Sequence, residues 1–368
     1  MRPFFISMHI ILDAHQDIAF NMLSFGRDYT HSVQETRQIE TKTQIPVQNG
    51  TCLLGIPECR QANIAIVFST LFAAPIRHQV AAWDILVYKD AEEAHKLYRD
   101  QLDLYRRLAD EKPDAFNIIR NAPELNLHLS KWQDAEDTPP IGLIMLMEGA
   151  DAVRSPAELE EWWARGLRLI GPAWAGTRYS GGTGDPGPLT HEGRALLESM
   201  ADLGFILDLS HMDEKALLEA LDIYEGALLA SHSNAKSLLP HTTSNRYLSD
   251  RAIRGIIERD GVIGVVPFNA FLQDGWKRSD GREQITLQHV IAQIDHICQL
   301  AGDAKHVGIG SDFDGGFGLE SVPKEINSIA DLQKLAPLLT ERGYTEENIA
   351  AIFGQNFIDH LGKSLPKS

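Results

Sequence analysis

Cysteines are few in this sequence and long apolar runs are absent, and both features limit the class of protein. The three cysteines, Cys52, Cys59 and Cys298, are an odd number and too few for a disulfide framework in a chain of 368 residues. No window approaches the roughly 18 uninterrupted apolar residues of a membrane-spanning helix. We therefore expect reduced thiols, a cytoplasmic location and no membrane partner.

The apolar residues near the N-terminus do not follow the pattern of a secretion signal. One early arginine precedes a short apolar run, but His9 interrupts the run and no small-residue cleavage site follows it. We expect the segment that begins at Met1 to lead into the first strand of the fold, from His9 to Asp13.

Positive charge is also scarce. Lysine and arginine number 34 against 51 aspartates and glutamates, which gives a formal net charge of −17. Nucleic acids and anionic membranes attract clusters of basic residues, so neither is an expected partner. A small anionic substrate remains compatible with this charge, because it needs only one local cation.

The overall composition predicts one large soluble domain. Of the 368 residues, 43% are hydrophobic, and α/β barrels of this length are commonly single domains. We expect one domain over residues 1–368, with a polar excursion near 25–55 and a loop near 174–189 over the mouth. The glycines of that loop resemble a phosphate-binding motif only weakly, because no Gly-Lys-Ser/Thr follows them.

The stretch from Gly204 to Asn234 predicts a β-α-β unit. Two apolar runs each end in Ser-His, and the helical segment Asp213–Tyr224 lies between them. His211 and His232 therefore follow two neighbouring strands. Because the carboxyl ends of parallel strands meet at one face of an α/β fold, we expect both histidines to face one pocket.

Similar strands recur along the whole chain and predict the fold class. We count eight, near residues 10, 66, 144, 169, 207, 228, 264 and 308. Helices are predicted between most of them, among others at Ala91–Glu111, Pro156–Arg165, Thr190–Leu203, Leu248–Asp260 with Ser249 as the N-cap, and Thr286–Leu300. Eight alternations of strand and helix indicate an α/β protein with the (β/α)8 TIM-barrel fold.

Five of the predicted strands end in residues that can bind metal ions. The candidates are His15, Asp17, Glu148, His211, His232 and Asp312. Three imidazoles and three carboxylates suit zinc or a similar transition metal better than calcium or magnesium, which prefer oxygen ligands. Six ligands exceed the need of one ion, so the pattern predicts two ions, a bridging carboxylate and a hydroxide nucleophile between the ions. Other histidines, among them His78, have no spaced partner and are expected at ordinary surface or core positions.

These motifs and their order resemble the membrane (renal) dipeptidase family of zinc metallopeptidases, within the amidohydrolase superfamily. The matching motifs are His15-x-Asp17, Glu148-Gly, Asp-Leu-Ser-His211, Ser-His232-Ser and Gly-Ser-Asp312-Phe-Asp-Gly, and they span nearly the whole chain. The resemblance implies that His15 and Asp17 bind one zinc ion. It implies that His211 and His232 bind the other, with Glu148 as the bridge. It also implies that Asp312 takes a proton from the bridging water and passes it to the leaving amine.

The resemblance also assigns residues to the substrate. Arg246 aligns with the family arginine that holds the free carboxylate of a dipeptide, although Tyr247 follows it where the family usually has asparagine. Many family members have a histidine after the fourth strand that polarises the scissile carbonyl, whereas this chain has Trp174. Arg178 is the first candidate to supply the missing charge, with packing inside its loop as the alternative, and His191 is a weaker candidate.

The predicted function is that of a zinc-dependent dipeptidase, with a small dipeptide-like substrate and, from the resemblance, a homodimeric state. A hydrolase of another small amide such as an N-acyl amino acid, or of a lactone or ester, is the alternative that Trp174 leaves open. A metal-stabilised barrel without catalysis is a second alternative. Such a protein would have no need of Asp312 as a proton carrier.

Overall fold

Eight parallel strands follow one another around a barrel in a computed structural model that describes residues 8–133 and 139–368. They are β1 (Ile11–Gln16), β2 (Ile64–Leu71), β3 (Ile141–Glu148), β4 (Leu167–Gly171), β5 (Ile206–Asp208), β6 (Leu228–Leu229), β7 (Ile263–Val265) and β8 (Val307–Ile309). The eight predicted strand positions fall within or directly beside these segments. Residues 1–7, which the sequence places before the first strand, lie outside the described residues.

Two contacts close the sheet into a barrel. The first strand meets the last through the parallel pairing of Asp13 with Ile309. Between β6 and β7 the connection is one parallel bridge from Ala230 to Ile263, and the amide of Gly264 donates a hydrogen bond to the Ala230 carbonyl at 2.8 Å. This arrangement confirms the predicted (β/α)8 barrel.

Helices cover the outside of the barrel, so the strands are buried on both faces. For this reason β2 and β3 are mostly apolar and every one of their residues is buried. The α-helices are Ile18–Phe25, Val33–Glu40, Ile45–Gln48, Ile56–Gln61, Ala91–Glu111, Ala122–Gln133, Leu159–Ala164, His191–Leu203, Glu214–Ile223, Asp250–Glu258, Asn269–Leu272, Leu287–Ala301, Leu335–Glu341, Glu346–Ala350 and Asn356–Ser364. Among the described residues, none of these helices is long and apolar enough to cross a membrane.

The predicted helices are present, with boundaries that differ by a few residues. Ser249 caps the helix Asp250–Glu258 as expected, since its hydroxyl accepts a hydrogen bond from the amide of Ala252 at 3.2 Å. The helix predicted over 156–165 divides into a 3₁₀ turn, Pro156–Glu158, and a short α-helix, Leu159–Ala164. A proline in the first turn is compatible with either form, which is why the pattern does not separate them.

Both irregular segments of the sequence contain regular structure. The excursion over residues 25–55 holds the helix Val33–Glu40, which begins with a capping box formed by Ser32 and Glu35. The loop over 174–189 holds an antiparallel hairpin of Ser180–Gly182 with Asp185–Leu189. Both segments contribute residues to the site at the carboxyl ends of the strands.

Candidate metal centre

The six candidate metal ligands lie together at the carboxyl ends of the barrel strands. They are His15 within β1, Asp17 just after it, Glu148 at the end of β3, and His211, His232 and Asp312, each three residues beyond the end of its strand. The first strand begins two residues later and ends three residues later than predicted, which places His15 inside the wall of the barrel. Each of the six side chains is at most 15% exposed. Charged groups with so little exposure need partners of opposite charge or donors of hydrogen bonds.

Glu148 lies close to all three candidate imidazoles. Its Oε1 lies 3.2 Å from Nε2 of His211 and 3.4 Å from Nε2 of His232. Its Oε2 lies 3.7 Å from Nε2 of His15, which is in turn 3.8 Å from Oδ1 of Asp17. The ligand atoms of His15, Glu148 and His232 lie within 4.8 Å of one another, as do those of His15, Asp17 and Asp312, so two overlapping sets of candidate ligands share His15.

Hydrogen bonds behind two of the histidines determine which ring nitrogen faces the carboxylate. The Ser231 hydroxyl donates to Oδ2 of Asp208 at 2.5 Å, so it accepts from Nδ1 of His232 at 2.8 Å. The Thr183 hydroxyl lies 3.0 Å from Nδ1 of His211 and 3.4 Å from the carbonyl of the same residue, so it can accept from the ring and donate to the carbonyl. With both protons assigned to Nδ1, the two Nε2 atoms carry lone pairs.

The arrangement of the nitrogen atoms fits a metal ion. The Nε2 atoms of His211 and His232 are 2.9 Å apart, and two lone pairs at this distance repel each other unless a positive charge lies close to both. Within residues 8–133 and 139–368, neither ring nitrogen of His15 has a hydrogen-bond partner, and neither does Oδ1 of Asp17. Neutral imidazoles and carboxylates are the ligands that zinc and related metals take from proteins.

Burial and crowding shift the pKa values of the same groups. Burial, followed by the charge of Arg246, lowers the pKa of His15 to about 3, so its ring is neutral at pH 7. Burial, followed by the charges of Asp17 and Asp312, raises the pKa of Glu148 well above its usual range. Three carboxylates this close cannot all be ionised at neutral pH unless positive charge lies among them, and a bound metal cation would supply it.

Two further aspartates, to which the sequence analysis gave no role, tie the strand ends together. Asp208 accepts hydrogen bonds from the amides of Ser210 at 3.0 Å and Ser231 at 2.9 Å, which joins the end of β5 to the end of β6. Asp13 accepts from the amide of Ser311 at 2.6 Å and from its hydroxyl, which joins β1 to β8. The sequence signal was an acid within an apolar strand shortly before a histidine, where a carboxylate is costly without donors.

The candidate ligands open into a cavity of about 260 Å³ with aromatic walls. Its aromatic lining consists of Phe20, Phe72, Trp83, Trp174, Phe268, Phe271 and Phe317. The Trp174 ring lies 5.0 Å from the Phe72 ring and 6.2 Å from the His211 ring between centroids, so the indole forms the wall beside the ligands. His78, expected at an ordinary position, also lines the cavity, with Nε2 2.8 Å from Oδ2 of Asp185.

Arg246 places a buried cation in the wall of this cavity. Its guanidinium donates hydrogen bonds to the Ser233 hydroxyl at 3.1 Å and to the His232 carbonyl at 2.6 Å, and it lies 5.3 Å from the centre of the Phe271 ring. These bonds use two of the five N–H groups, and Nε has no partner among the described residues. A fixed guanidinium with free donors is suited to an anionic group of a ligand.

The structure does not bring Arg178 or His191 to the cavity. The Arg178 guanidinium donates to the Val153 carbonyl and lies 4.8 Å from the centre of the Tyr179 ring, so it packs within its own loop. His191 is the exposed first residue of a helix on the outside of the barrel. These contacts are those of the alternative, packing inside the loop, and the role of Arg178 in supplying the charge missing at Trp174 stays a prediction.

An eight-stranded barrel with imidazoles and carboxylates at the carboxyl ends of its strands is the arrangement of a metal-dependent hydrolase. The sequence model of one family, described as membrane dipeptidase (peptidase family M19), matches residues 4–363. The chain therefore belongs to this family and is a metallo-dipeptidase, which confirms the predicted family and enzyme class.

Individual relatives agree with this assignment. An uncharacterized protein in the pqqA 5' region of Klebsiella pneumoniae is 33% identical over 255 residues, which are 66% of this chain and 89% of that protein. An uncharacterized dipeptidase of Schizosaccharomyces pombe is 28% identical over 70% of this chain and 60% of its own length. The solved structure of a Rhodobacter sphaeroides metallopeptidase, liganded with a phosphinate mimic of the dipeptide L-Ala-D-Ala, has a TM-score of 0.78 at 25% identity. This similarity covers 97% of the present chain and 100% of that one.

The hydrogen bonds of Asp208 predict that the substitution Asp208→Ala weakens metal binding. Without this carboxylate the Ser231 hydroxyl no longer has a fixed acceptor, and the proton on Nδ1 of His232 loses its fixed partner. Losing support of this kind typically lowers metal affinity by about 10- to 100-fold. Competition with a chromogenic chelator measures the affinity, and Asp90→Ala, at the exposed N-cap of the helix Ala91–Glu111, is the control. Equal affinities of Asp208→Ala and the wild type would contradict the role of Asp208.

Proposed function

We propose that this enzyme hydrolyses the amide bond of small dipeptides at a centre that binds two zinc ions. The observation that carries the proposal is the position of Glu148, whose Oε1 contacts His211 and His232 and whose Oε2 contacts His15. In this assignment His15 and Asp17 would hold one ion, His211 and His232 would hold the other, and Glu148 would be a ligand of both.

Asp312 is the group that moves the proton in this proposal. The chemistry that the ions supply is polarisation of the substrate carbonyl and a lowered pKa of the attacking water. Asp312 has its Oδ1 3.8 Å from Nε2 of His15, and it also lines the cavity. A carboxylate between the ligands and the substrate space can accept the proton of the attacking water and then donate it to the leaving amine.

Arg246 fixes the carboxylate end of the substrate. Its guanidinium is already held by Ser233 and by the His232 carbonyl, so little side-chain entropy is lost when a ligand binds. The remaining N–H groups can bind both oxygens of a carboxylate. The proposed substrates are therefore short molecules with a free carboxylate close to the scissile amide.

The aromatic walls favour apolar substrate side chains. Phe271 lies beside Arg246, and Phe268 stacks on Phe317 with centroids 4.2 Å apart in the same lining. Trp174 lies beside His211. A substrate with its carboxylate on Arg246 would place its C-terminal side chain near the phenylalanines and its N-terminal part near the tryptophan. An apolar acyl group would pack on the same indole, which makes N-acyl amino acids the second candidate substrates.

Asp312→Asn is expected to keep its metal and to lose turnover. The amide has the shape of the carboxylate and tolerates the left-handed backbone of this residue, but it cannot accept the proton. General acid–base groups typically contribute about 10²- to 10⁴-fold to the rate, so kcat should fall within that range. Elemental analysis of the purified variant verifies the metal content. Full activity at normal metal content would exclude Asp312 as the proton carrier.

Arg246→Ala is expected to raise KM for free dipeptides much more than for their C-terminal amides. Removing one partner of a buried charged contact costs about 2 kcal/mol or more, which corresponds to roughly 30-fold in binding. Steady-state kinetics on matched acid and amide substrates measures the difference. Arg194→Ala is the control, because that arginine is exposed and pairs with Glu219 on the outside of the barrel. The assignment fails if acid and amide substrates lose affinity equally.

Trp174→Ala is expected to reduce the preference for substrates with a bulky apolar N-terminal group. Burial of a large apolar side chain contributes about 1.5–3 kcal/mol, and the variant loses part of the surface that buries it. The ratio of kcat/KM for Phe- and Ala-containing dipeptides should therefore fall by about tenfold. The same panel, extended to N-acetyl amino acids, separates the two candidate substrate classes. An unchanged ratio would show that the indole does not contact the side chain.

A further inference from the structure

A set of buried polar residues outside the proposed mechanism surrounds the loop that carries Asp312. Four hydrogen-bond donors, Asn21, Tyr29, Asn49 and the backbone of Leu53, and one ion-pair partner, Arg27, contact Asp314 from the chain between β1 and β2, and we call these five the clamp. We propose that the clamp positions the Asp312 carboxylate by holding Asp314, so that Asp314 is a positioning residue for proton transfer. The proposal rests on the role proposed above for Asp312.

The loop after β8 has a backbone that needs support. Asp312 and Asp314 have φ values of +54° and +65°, in the left-handed region that side chains other than glycine adopt at a cost. The loop is also packed against the carboxylates, because a Cβ on Gly315 would lie 2.0 Å from Oδ1 of Asp312 and 2.9 Å from Oδ2 of Asp17. Such a conformation persists only where surrounding contacts determine it.

The Asp314 side chain receives most of these contacts. It is fully buried and accepts a hydrogen bond from the Tyr29 hydroxyl at 3.1 Å and one from the amide of Leu53 at 2.8 Å. Nη1 of Arg27 forms an ion pair with the same carboxylate at 3.1 Å. Arg27 is itself held by Glu40, whose Oε1 lies 2.8 Å from its Nε. Both members of the ion pair are therefore held in place, Arg27 by Glu40 and Asp314 by the Tyr29 hydroxyl and the Leu53 amide.

The Asp314 carbonyl is held as firmly as the side chain. The amide nitrogens of the Asn21 and Asn49 side chains both donate to it at 3.0 Å. The Asn21 amide also donates to the carbonyl of Asp17 at 2.9 Å, and its oxygen accepts from Asn49 at 2.7 Å. One side chain thus connects the backbone of a proposed metal ligand with the backbone two residues beyond Asp312.

The ion pair between Arg27 and Asp314 is explained better by the distances that it fixes than by a contribution to the stability of the fold. Buried ion pairs add little net stability, because the cost of removing both charges from water offsets their attraction. They do define distances, and a displacement of about 1 Å between reacting groups can reduce a rate by roughly 100-fold. The helix Val33–Glu40 and its neighbours in the excursion then serve to bring Arg27, Glu40 and Asn49 to the Asp312 loop.

The test uses two conservative variants, Tyr29→Phe and Asp314→Asn, in the full-length zinc-loaded enzyme. The first removes one hydroxyl, and the second removes the charge while Arg27 keeps its pairing with Glu40. Tyr344→Phe and Asp295→Asn are matched controls, because the Tyr344 hydroxyl donates to Asp295 at 2.9 Å and Arg342 pairs with the same carboxylate on the outside of the barrel. We expect kcat to fall about tenfold or more in the two clamp variants, with KM and zinc content unchanged. The controls should keep the wild-type kcat.

Two results would overturn the proposal that the clamp positions Asp312. One is an unchanged kcat in both folded clamp variants, and the other is a loss of activity explained by lower zinc content or a higher KM. Asp312→Asn, measured in parallel, separates this proposal from the one on which it rests. Fully active clamp variants beside an inactive Asp312→Asn would reject the clamp alone, whereas a fully active Asp312→Asn would reject the proton-transfer role itself.

Discussion

The repulsion among buried carboxylates around Glu148 is the constraint on which the rest of the site depends. Burial and the charges of Asp17 and Asp312 raise the pKa of Glu148, and burial also raises the pKa of Asp17 to about 6. Burial lowers the pKa of His211 and His232 well below the usual value, so neither ring can neutralise the acids. Arg246 supplies one positive charge beside these acids, and a bound metal ion would supply more, since the candidate ligand atoms are of the kind that zinc binds.

The barrel supports this crowded site with hydrogen bonds that do not involve the candidate ligands' metal-facing atoms. Asp208 connects two neighbouring strand ends, and Asp13 connects the first strand with the last. At the closure between β6 and β7, a Cβ on Gly264 would lie only 1.9 Å from the Ser231 carbonyl, so the close approach of these strands requires glycine. The position of His232 therefore depends on a carboxylate, a serine and a glycine.

The sequence predicts the barrel, and it predicts which polar residues gather at the barrel's mouth, because both follow local patterns. Each buried strand is a short apolar run, and each candidate ligand follows one of these runs at a short distance. Arg178 shows the limit of such reasoning, because a side chain in a loop can turn toward any neighbour and its direction depends on tertiary contacts. The helix Val33–Glu40 was missed for a different reason, since it buries few apolar residues and so lacks a clear period. The nearness of His78 to the cavity likewise depends on how the loop after β2 folds over the mouth.

Two features at the mouth favour an enzyme over a barrel that only binds metal. They are the strained backbone of His211 and Asp312 and the buried guanidinium of Arg246. His211 and Asp312 both occupy left-handed backbone at φ values of +65° and +54°, a conformation that costs about 1 kcal/mol or more for each residue. A protein selected only to retain a metal ion gains nothing from such strain, nor from a guanidinium buried at Arg246 with a free Nε. A hydrolase of the proposed kind gains from both, because the strained loop would hold a carboxylate toward the substrate space and the guanidinium would bind the carboxylate end of the substrate. The features that reduce stability are therefore the ones that favour catalysis.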